Sequence, residues 1–308
     1  MRILVTGGSG FIGSVLVPML LAEGHFVRVF DSLRFHQTSL LSFFIHDQFE
    51  FVRGDIRNAE EIKKAMQGVD MIVHLAALLG APVCAAHPEE AQEINVGGTQ
   101  NILNARLSNQ PIIYSSTGSN YGVVDGICTE ETPLRPVSVY GMTKTKAETL
   151  LLESGNVVAL RFATAFGISP RLRLDLMPND FVFQALRVGN LIVYERSMKR
   201  TFIHVRDMAR AFVHTINHFD TMKNNVYNVG DESMNTTKEQ LAYIVRQYID
   251  YYLHFAEIAS DADRRDYEVS YAKIRATGYH TIISLEQGIQ EMVKGFQLIN
   301  LDNPYSNL

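Results

Sequence analysis

The stretch Thr6-Gly-Gly-Ser-Gly-Phe-Ile-Gly13 lies between a short aliphatic run at residues 2–6 and an apolar segment with helical spacing at residues 11–23. Its GxxGxxG pattern is a spacing variant of the turn that binds a dinucleotide. The first glycine permits a sharp turn, the second lets backbone N–H groups approach a pyrophosphate, and the third lets the helix pack on the strand. The phosphates would lie at the positive end of the helix. The segment therefore predicts a strand–turn–helix unit that binds a dinucleotide.

Strand-like and helix-like patterns alternate from this turn to about residue 165. Right-handed strand–helix–strand units build a parallel sheet that is covered by helices on both faces. The alternation therefore predicts an α/β fold, a Rossmann-type doubly wound parallel sheet. The predicted strands are residues 2–6, 26–31, 49–54, 71–75, 111–115 and 156–161. The predicted helices are residues 11–23, 59–67, 88–107 and 139–154.

Beyond residue 166 the alternation becomes less regular, and we expect a smaller C-terminal substrate-binding lobe. The chain then divides into a dinucleotide-binding Rossmann domain at residues 1–165 and a mainly substrate-binding lobe at residues 166–308, with segments around residues 200–230 returning to the first domain. The predicted strands are residues 191–194, 201–205 and 225–229, and the predicted helices are residues 180–188, 206–218, 236–248 and 285–296. The polar tail from residue 297 to 308 is expected to fray or to dock weakly.

The expected cofactor follows from Asp31, which ends the predicted second strand 18 residues after Gly13. A carboxylate at this point accepts hydrogen bonds from the adenosine ribose and repels a 2′-phosphate. Arg34 lies close in sequence and leaves NADP as the alternative. Asp31 therefore favours NAD.

A candidate catalytic group begins the predicted helix at residues 139–154. In Tyr140-Gly-Met-Thr-Lys144 a spacing of four places the tyrosine and the lysine on one helical face. An ammonium beside a phenol favours the phenolate and so lowers the pKa of the tyrosine. Tyr140 can then act as a general base toward an alcohol while hydride moves to NAD. Thr117, which follows the predicted fifth strand, is positioned to hydrogen-bond the same oxygen.

The composition excludes several classes of protein. The 308 residues include 28 Lys and Arg against 33 Asp and Glu, and a net charge of −5 argues against a nucleic-acid or membrane footprint. Two cysteines, Cys84 and Cys128, are too few for a disulfide framework and offer no metal cluster, which indicates a reducing compartment. Glycines interrupt the first apolar stretch, and His74 and Pro82 interrupt the run at residues 72–86, so neither a secretory signal nor a membrane span is predicted. We therefore expect a cytoplasmic protein.

These motifs resemble the extended short-chain dehydrogenase/reductase superfamily, in its nucleotide-sugar epimerase/dehydratase branch, over nearly the whole sequence. The motifs are TGGSGFIG at 6–13, Asp31, GDI at 54–56, HLAA at 74–77, Asn95 with the following VGGT, YSST at 114–117, YGMTK at 140–144, RFATAFG at 161–167 and RTFIHVRDMARAF at 200–212. The resemblance implies catalytic roles for Tyr140, Lys144 and Thr117, a bound NAD, a nucleotide-sugar substrate and a homodimer built from the helices at 88–107 and 139–154. The implied cofactor-binding residues are Gly7, Gly10, Phe11, Ile12, Gly13, Asp31, Asp55, Ile56, Leu75, Ala76, Ala77, Asn95, Ser115, Tyr140 and Lys144.

Departures from the family pattern narrow the chemistry. The 4,6-dehydratases carry Asp-Glu directly after the catalytic threonine, and UDP-glucuronate decarboxylases keep the Glu, whereas this chain has Gly118 and Ser119. The 3,5-epimerases need a further acid/base pair, typically with a cysteine, and neither Cys84 nor Cys128 lies in a matching motif. Oxidation at C4 through a 4-keto sugar remains. A C4 epimerase is favoured, a C4 dehydrogenase of the GDP-heptose type is the alternative, and a non-catalytic NAD-binding regulator is a remote one.

The resemblance also implies substrate contacts beyond Thr117. Arg200 matches a family position that contacts the diphosphate, and Asn179 resembles the substrate asparagine of the uridine epimerases. Arg265, in a shortened distal arginine motif, would clamp the other phosphate, because a guanidinium fork suits phosphate geometry. Arg171 and Arg173 form a further cluster of cations where a diphosphate would need them.

Thr164 and His204 also lie in the motifs quoted above. Thr164 replaces an asparagine that is common in the epimerases, which puts the usual UDP contacts in doubt. His204 has no second ligand at metal spacing, so we expect a structural role beside Asp207 and no metal.

Overall fold

The structure is a computed structural model, and it describes residues 1–107, 109–257 and 266–299. In chain order the strands are β1 (Arg2–Thr6), β2 (Phe26–Asp31), β3 (Phe49–Arg53), β4 (Met71–His74), β5 (Ile112–Thr117), β6 (Val123–Cys128), β7 (Val157–Phe162), β8 (Thr164–Phe166), β9 (Asn190–Tyr194), β10 (Lys199–His204), β11 (Asn225–Val229), β12 (Asn235–Thr237), β13 (Tyr252–Ala256) and β14 (Asp266–Val269). The helices are α1 (Gly13–Ala22), α2 (Ala59–Ala65), α3 (Ala81–Ala86), α4 (Pro88–Gln92), α5 (Gly98–Ala105), α6 (Val139–Glu153), α7 (Met177–Arg187), α8 (Val205–Asn217), α9 (Phe219–Met222), α10 (Lys238–Arg246), α11 (Ala272–Arg275) and α12 (Leu285–Gly295).

The main sheet has seven parallel strands in the order β3-β2-β1-β4-β5-β7-β11. The chain starts at β1, winds outward to β3, then returns to the other side of β1 and winds outward again. The order therefore reverses between β1 and β4. In an open sheet of this kind, ligands bind at the carboxyl ends of the strands beside such a reversal.

Two apolar layers cover the two faces of this sheet, because successive side chains on a strand point to opposite sides. On β1, Ile3 and Val5 lie in one buried cluster with Leu16 of α1 and Phe212 of α8. Leu4, between them in sequence, lies in the other cluster, beneath α2, α5 and α6. The prediction of a doubly wound parallel sheet is confirmed.

A third apolar cluster lies in the C-terminal half and joins α7, α10 and α12, with Val182, Leu241 and Ile289 fully buried. Three small sheets accompany it in the described part of the chain, in the orders β12-β10-β8, β13-β9 and β14-β6. Several of their pairings join segments far apart in sequence, as where Cys128 of β6 meets Val269 of β14. Periodicity within one segment does not reveal such pairings, which is why β6, β8, β12, β13 and β14 were not predicted.

Two helices differ from the expected ones. The helix predicted at residues 88–107 is α4 and α5 joined by a π-helical turn at Glu93–Gly97. The helix predicted at residues 180–188 begins earlier, as α7, with Pro178 in its first turn. Proline is tolerated there because the N–H group it lacks has no partner within the helix, so Pro178 marks a helix start and not a loop.

Candidate active site

The glycine-rich turn joins β1 to α1 in close contact with the end of β4. Gly7 has a φ of +70°, and a β-carbon on it would lie 2.8 Å from the backbone of Ala76. A β-carbon on Gly13 would lie 2.4 Å from the backbone oxygen of Gly8, so the helix begins directly against the turn. Ile12 at the N-cap position provides no side-chain cap for the first amide groups of α1. Such a helix start suits an anionic group such as a diphosphate.

Asp31 lies beside this turn at the end of β2. Its carboxylate accepts hydrogen bonds from the backbone N–H groups of Ser9 (3.0 Å) and Leu33 (2.9 Å). Burial raises the pKa of Asp31 above its usual value, whereas these two hydrogen bonds and the charge of Arg171 lower it. Arg34 is the residue that left NADP as the alternative cofactor. It donates two hydrogen bonds to the carboxylate of Glu90, at 2.5 and 2.9 Å. The guanidinium that would attract the 2′-phosphate of NADP is therefore already paired with a carboxylate.

A cavity of about 340 Å³ opens between the glycine turn and Asp31, and we call it the Asp31 cavity. Most of the predicted cofactor residues line it. They are Gly7, Gly10, Phe11, Asp31, Asp55, Ile56, Leu75, Ala76 and Ala77. Phe35, Arg171 and Arg173 also line this cavity and were not predicted as cofactor residues.

A second cavity, of about 330 Å³, contains the predicted catalytic group, and we call it the Tyr140 cavity. Thr117, Tyr140 and Lys144 all line it, and so does Arg200. Ile12, Gly13 and Ser115 line it as well. The two cavities share Gly7, Gly10, Phe11, Leu75, Leu79 and Arg173. They therefore adjoin each other at the glycine turn, which suits a site for a dinucleotide and a second ligand.

Lys144 is almost completely buried at the floor of the Tyr140 cavity. Its Nζ lies 4.1 Å from the centroid of the Tyr114 ring. Burial lowers the pKa of Lys144 to about 7, although the carboxylate of Glu148 one helical turn away raises it. The proton on Lys144 is therefore labile near neutral pH.

Behind Lys144, a buried ion pair joins α6 to β7. The Arg161 guanidinium lies 2.6 Å from a carboxylate oxygen of Glu148, and the two side chains are only 5% and 2% exposed. Ser116 and Asn120 donate further hydrogen bonds to this carboxylate, at 2.5 and 3.2 Å. The network fixes the helix that bears Tyr140 against the strand end that bears Thr117.

The turn after Thr117 is a short 3-10 helix, Gly118–Asn120. The Thr117 hydroxyl donates to the Ser119 hydroxyl at 3.1 Å and accepts a hydrogen bond from the Ser119 backbone N–H, also at 3.1 Å. A β-carbon on Gly118 would lie 3.0 Å from the hydroxyl of Tyr267, which fixes the space available to a side chain there. Ser119 lines the Tyr140 cavity and contributes a hydroxyl to its wall.

His74, the last residue of β4, links β1 to α5 through a chain of hydrogen bonds. Its Nδ1 lies 2.8 Å from the Thr6 hydroxyl and its Nε2 lies 3.0 Å from the Thr99 hydroxyl. Thr99 donates its one proton to the backbone oxygen of Asn95 at 2.6 Å, so it must accept from Nε2–H. Burial lowers the pKa of His74 to about 3, with a further lowering by Lys144, so the ring is neutral.

Asn95 lies in the π-helical turn, behind the cavity wall. Its side chain bonds both backbone groups of Leu78: it accepts from the N–H at 2.7 Å and donates to the oxygen at 3.1 Å. It also donates to the Thr143 hydroxyl on α6 at 3.0 Å. Asn95, a predicted cofactor residue, is not among the residues that line either cavity, and its contacts hold Leu78, a lining residue of the Asp31 cavity.

The expected substrate residue Asn179 is also placed differently. It is fully buried, and its amide donates to the backbone oxygens of Gly167 (3.0 Å) and Arg173 (2.8 Å). Its own oxygen accepts the N–H of Gly167 at 2.9 Å. Asn179 therefore shapes the loop that contains Arg173, because all these partners are backbone groups. Arg265 lies outside the described residues.

Cys84, Cys128 and His204, which the sequence analysis discussed, are all buried. Cys84 and Cys128 are buried free thiols, and burial raises the pKa of each to about 11, which does not suit an acid/base role at neutral pH. His204 has a structural role, but its partner is Glu291 (2.8 Å) and not Asp207. It also caps α8 by accepting the N–H of Arg206.

Sequence reasoning missed part of the wall of the Tyr140 cavity. Gly80, with a φ of +94°, is the N-cap residue of α3, and Pro82 lies in the first turn of this helix; both line the cavity. A proline just inside a helix start is a common sequence signal for that start. Its position shortly after β4, next to the glycine turn, was the signal in the sequence that could have placed α3 in the cavity wall.

The described ranges contain no group of three or more His, Cys, Asp or Glu residues that could hold a metal ion. Within the same ranges, every helix is too short or too polar to span a bilayer.

The glycine turn, the acid at the end of the second strand and the cavity lined by Tyr140, Lys144 and Thr117 form the pattern of the short-chain dehydrogenase/reductase superfamily. Residues 3–230 match the model of the NAD dependent epimerase/dehydratase family. The chain belongs to this family, and it is an enzyme whose cofactor is NAD.

Curated relatives span nearly the whole chain. The low-salt glycan biosynthesis protein Agl12 of Haloferax volcanii is 30% identical over 307 residues, which cover 95% of this chain and 97% of that protein. UDP-glucuronic acid decarboxylase 2 of Arabidopsis thaliana is 29% identical, with 96% of this chain and 68% of that protein covered.

Solved structures agree with the fold. The UDP-glucose 4-epimerase of Thermus thermophilus, in complex with NAD, superposes with a TM-score of 0.83 at 26% identity, covering 97% of this chain and 100% of that one. The dTDP-glucose 4,6-dehydratase DesIV of Streptomyces venezuelae, also with NAD, gives 0.85 at 27% identity and covers 96% and 97%. The relatives thus include epimerases, dehydratases and decarboxylases.

Proposed function

We propose that the chain is a C4 epimerase of a nucleoside-diphosphate sugar, acting through a 4-keto intermediate. The observation that supports this most is that Thr117, Tyr140 and Lys144 line one cavity, which adjoins the Asp31 cavity at the glycine turn. One cavity can thus hold the sugar while the other holds the adenosine half of the cofactor.

Each catalytic residue has a proposed role. Tyr140 takes the proton of the C4 hydroxyl as a general base and returns it when the keto group is reduced. Lys144, when protonated, stabilises the tyrosine phenolate. Thr117 hydrogen-bonds the same sugar oxygen and orients it. NAD, when bound, supplies the hydride acceptor and donor.

The turn after Thr117 argues against elimination and decarboxylation. Those reactions need an acid or base beside the sugar beyond C4, whereas Gly118 and Ser119 have no ionisable side chain. Tyr267 limits the room for a larger residue at position 118. Redox chemistry at a single carbon therefore fits the site best.

The substrate diphosphate is proposed to bind Arg200, which is 3% exposed and lines the Tyr140 cavity. Arginine suits this role because its planar fork matches two phosphate oxygens. The division into an NAD-binding domain at residues 1–165 and a substrate lobe at residues 166–308 belongs to the same proposal. The buried free thiols of Cys84 and Cys128 support a cytoplasmic location.

A homodimer through α4, α5 and α6 is also proposed. Met142 on α6 is 51% exposed and would be covered in such a dimer. Light scattering checks this directly: the dimer predicts twice the chain mass of 34.7 kDa, and a mass equal to that of one chain contradicts it.

The decisive test of function is incubation of the purified protein with UDP- and GDP-sugars, followed by NMR of the products and absorbance at about 340 nm. An epimerase converts the sugar without net NADH. A C4 dehydrogenase instead accumulates NADH and a keto sugar. In either case Tyr140→Phe should reduce turnover by roughly 10²- to 10⁴-fold with NAD still bound. Activity that survives this substitution contradicts the assigned base, and a wild-type protein that binds NAD but turns over none of these sugars contradicts the proposed C4 epimerase.

A further inference from the structure

A loop of the C-terminal half is attached directly to the glycine turn. The Ser169 hydroxyl donates to the backbone oxygen of Phe11 at 2.7 Å and lies 2.8 Å from the Ser14 hydroxyl. Because each hydroxyl has one proton, Ser14 must be the donor in this pair. Ser14 then accepts from the backbone N–H of Arg171 at 3.4 Å. Both serines are buried, so the loop and the turn are joined at a fixed distance.

This attachment brings two arginines of the loop into the cavity walls. Arg171 is only 2% exposed and lines the Asp31 cavity, with its guanidinium carbon 5.0 Å from the centroid of the Phe35 ring. The positive charge of Arg171 lowers the pKa of Asp31. Arg171 therefore lies in the same cavity wall as Gly7, Gly10 and Phe11 of the glycine turn, and not in the Tyr140 cavity, where the sequence suggested a substrate contact.

Arg173 has a different position, since it lines both cavities. Two hydrogen bonds to the Asp175 carboxylate, at 3.1 and 2.5 Å, hold its guanidinium. The other residues common to both cavities include Gly7, Gly10 and Phe11 of the glycine turn. Arg173 thus lies where a dinucleotide must pass the turn on its way from one cavity to the other.

The group of a dinucleotide that lies at a glycine turn is its diphosphate, which is anionic. We propose that Arg171, and Arg173 beside it, bind the cofactor diphosphate where it passes the glycine turn, so that the C-terminal half contributes to holding NAD. A guanidinium fork makes strong, charge-assisted hydrogen bonds to phosphate oxygens. This inference depends on NAD binding and not on the proposed C4 chemistry, so the two can fail separately.

The test compares ligands with and without phosphate. Adenosine, ADP and ADP-ribose are titrated by calorimetry into the full chain freed of NAD, for the wild type, Arg171→Ala and Arg196→Ala. Arg196 is the matched control because it belongs to the same half of the chain but has a 59% exposed side chain. Arg171→Ala should weaken ADP and ADP-ribose by about tenfold or more, as loss of a charged hydrogen bond predicts, and leave adenosine unchanged. Arg196→Ala should change neither.

Equal losses for adenosine and ADP in Arg171→Ala, or no loss for either, would overturn the proposal. Circular dichroism checks that each variant is folded. If Arg171→Ala does not fold, Arg171→Lys serves in its place, because it keeps the charge and much of the buried volume but loses the fork. The lysine variant should weaken ADP selectively as well, and unchanged ADP binding in it contradicts the inference. Arg173→Gln extends the test: it should weaken ADP and leave adenosine unchanged, and unchanged ADP binding contradicts the role of Arg173.

Discussion

Lys144 places its Nζ 4.1 Å from the centroid of the Tyr114 ring, with both side chains buried. The ring face attracts the ammonium, and so does the carboxylate of Glu148, yet burial outweighs both and lowers the pKa of Lys144 to about 7. A lysine in this state is charged in slightly acidic solution and loses its proton a little above neutral pH. The protein thus holds a cation at the active site at a cost in stability.

This cost predicts a pH-dependent effect of Lys144→Met. Between the folded pKa of about 7 and the ordinary value of 10.5, the unfolded chain binds the proton and the folded chain does not, so the stability of the wild type rises with pH in this window. Below about pH 7 Lys144 is charged in both states, and the full cost of burying its charge then lowers the stability of the wild type. The variant should therefore gain Tm over the wild type at about pH 6 and lose this advantage toward pH 10. A difference in Tm that is constant with pH contradicts the lowered pKa.

His74 predicts the corresponding effect in acid. Its folded pKa is about 3 and its ordinary value is 6.5, so the unfolded chain takes up a proton first and stability falls as the pH drops through this window. His74→Gln, which keeps a donor and an acceptor, should reduce this loss. Chemical denaturation at several pH values measures it, with the exposed His46→Gln as control. An unchanged acid dependence in His74→Gln would show that the ring is not held neutral.

The buried pair of Arg161 and Glu148 predicts a strong asymmetry between single and double substitutions. Arg161→Met leaves a buried carboxylate without its cation and should lower the free energy of unfolding by about 3–5 kcal/mol. Adding Glu148→Leu removes the stranded charge and should recover part of this loss. Urea unfolding measures the free energy of unfolding of the wild type, of Arg161→Met and of the double variant. A double variant that is no more stable than Arg161→Met contradicts the prediction.

The space at Gly118 predicts a coupling with Tyr267. A β-carbon at position 118 lies 3.0 Å from the tyrosine hydroxyl, so Gly118→Ala should cost about 1–3 kcal/mol through overpacking. In a Tyr267→Phe background the oxygen is gone and the same change should cost less. A double-mutant cycle isolates this coupling from the separate effects of each substitution. Additive effects would show that the two residues do not compete for space.

The sequence allowed prediction of the parts of the site that depend on local pattern. Gly7, Asp31 and Thr117 each stand at or just after the end of a parallel strand, and the ends of such strands meet at one edge of the sheet. Tyr140 and Lys144 are one helical turn apart, so their presence on one wall followed from spacing alone. The fold class depended on the same periodicities.

The missed features depend on packing between distant segments. Arg171 reaches the Asp31 cavity because Ser169 bonds Phe11, a contact that spans 158 positions of the chain. His204 pairs with Glu291 in α12 although Asp207 is only three positions away in sequence. Asn179 points into its own loop instead of the cavity. Residue type and spacing do not encode such choices, since each depends on which surfaces meet in the folded chain.

The π-helical turn at Glu93–Gly97 holds one residue more per turn than the helices on either side of it. Deleting a single residue there would restore regular winding and leave α4 and α5 in nearly the same relative orientation, because the wider turn already accommodates the extra residue. Only the residues within the turn would have to move, and they include Asn95, which bonds Leu78. One inserted position thus acts locally, on the turn that holds a residue of the cavity wall.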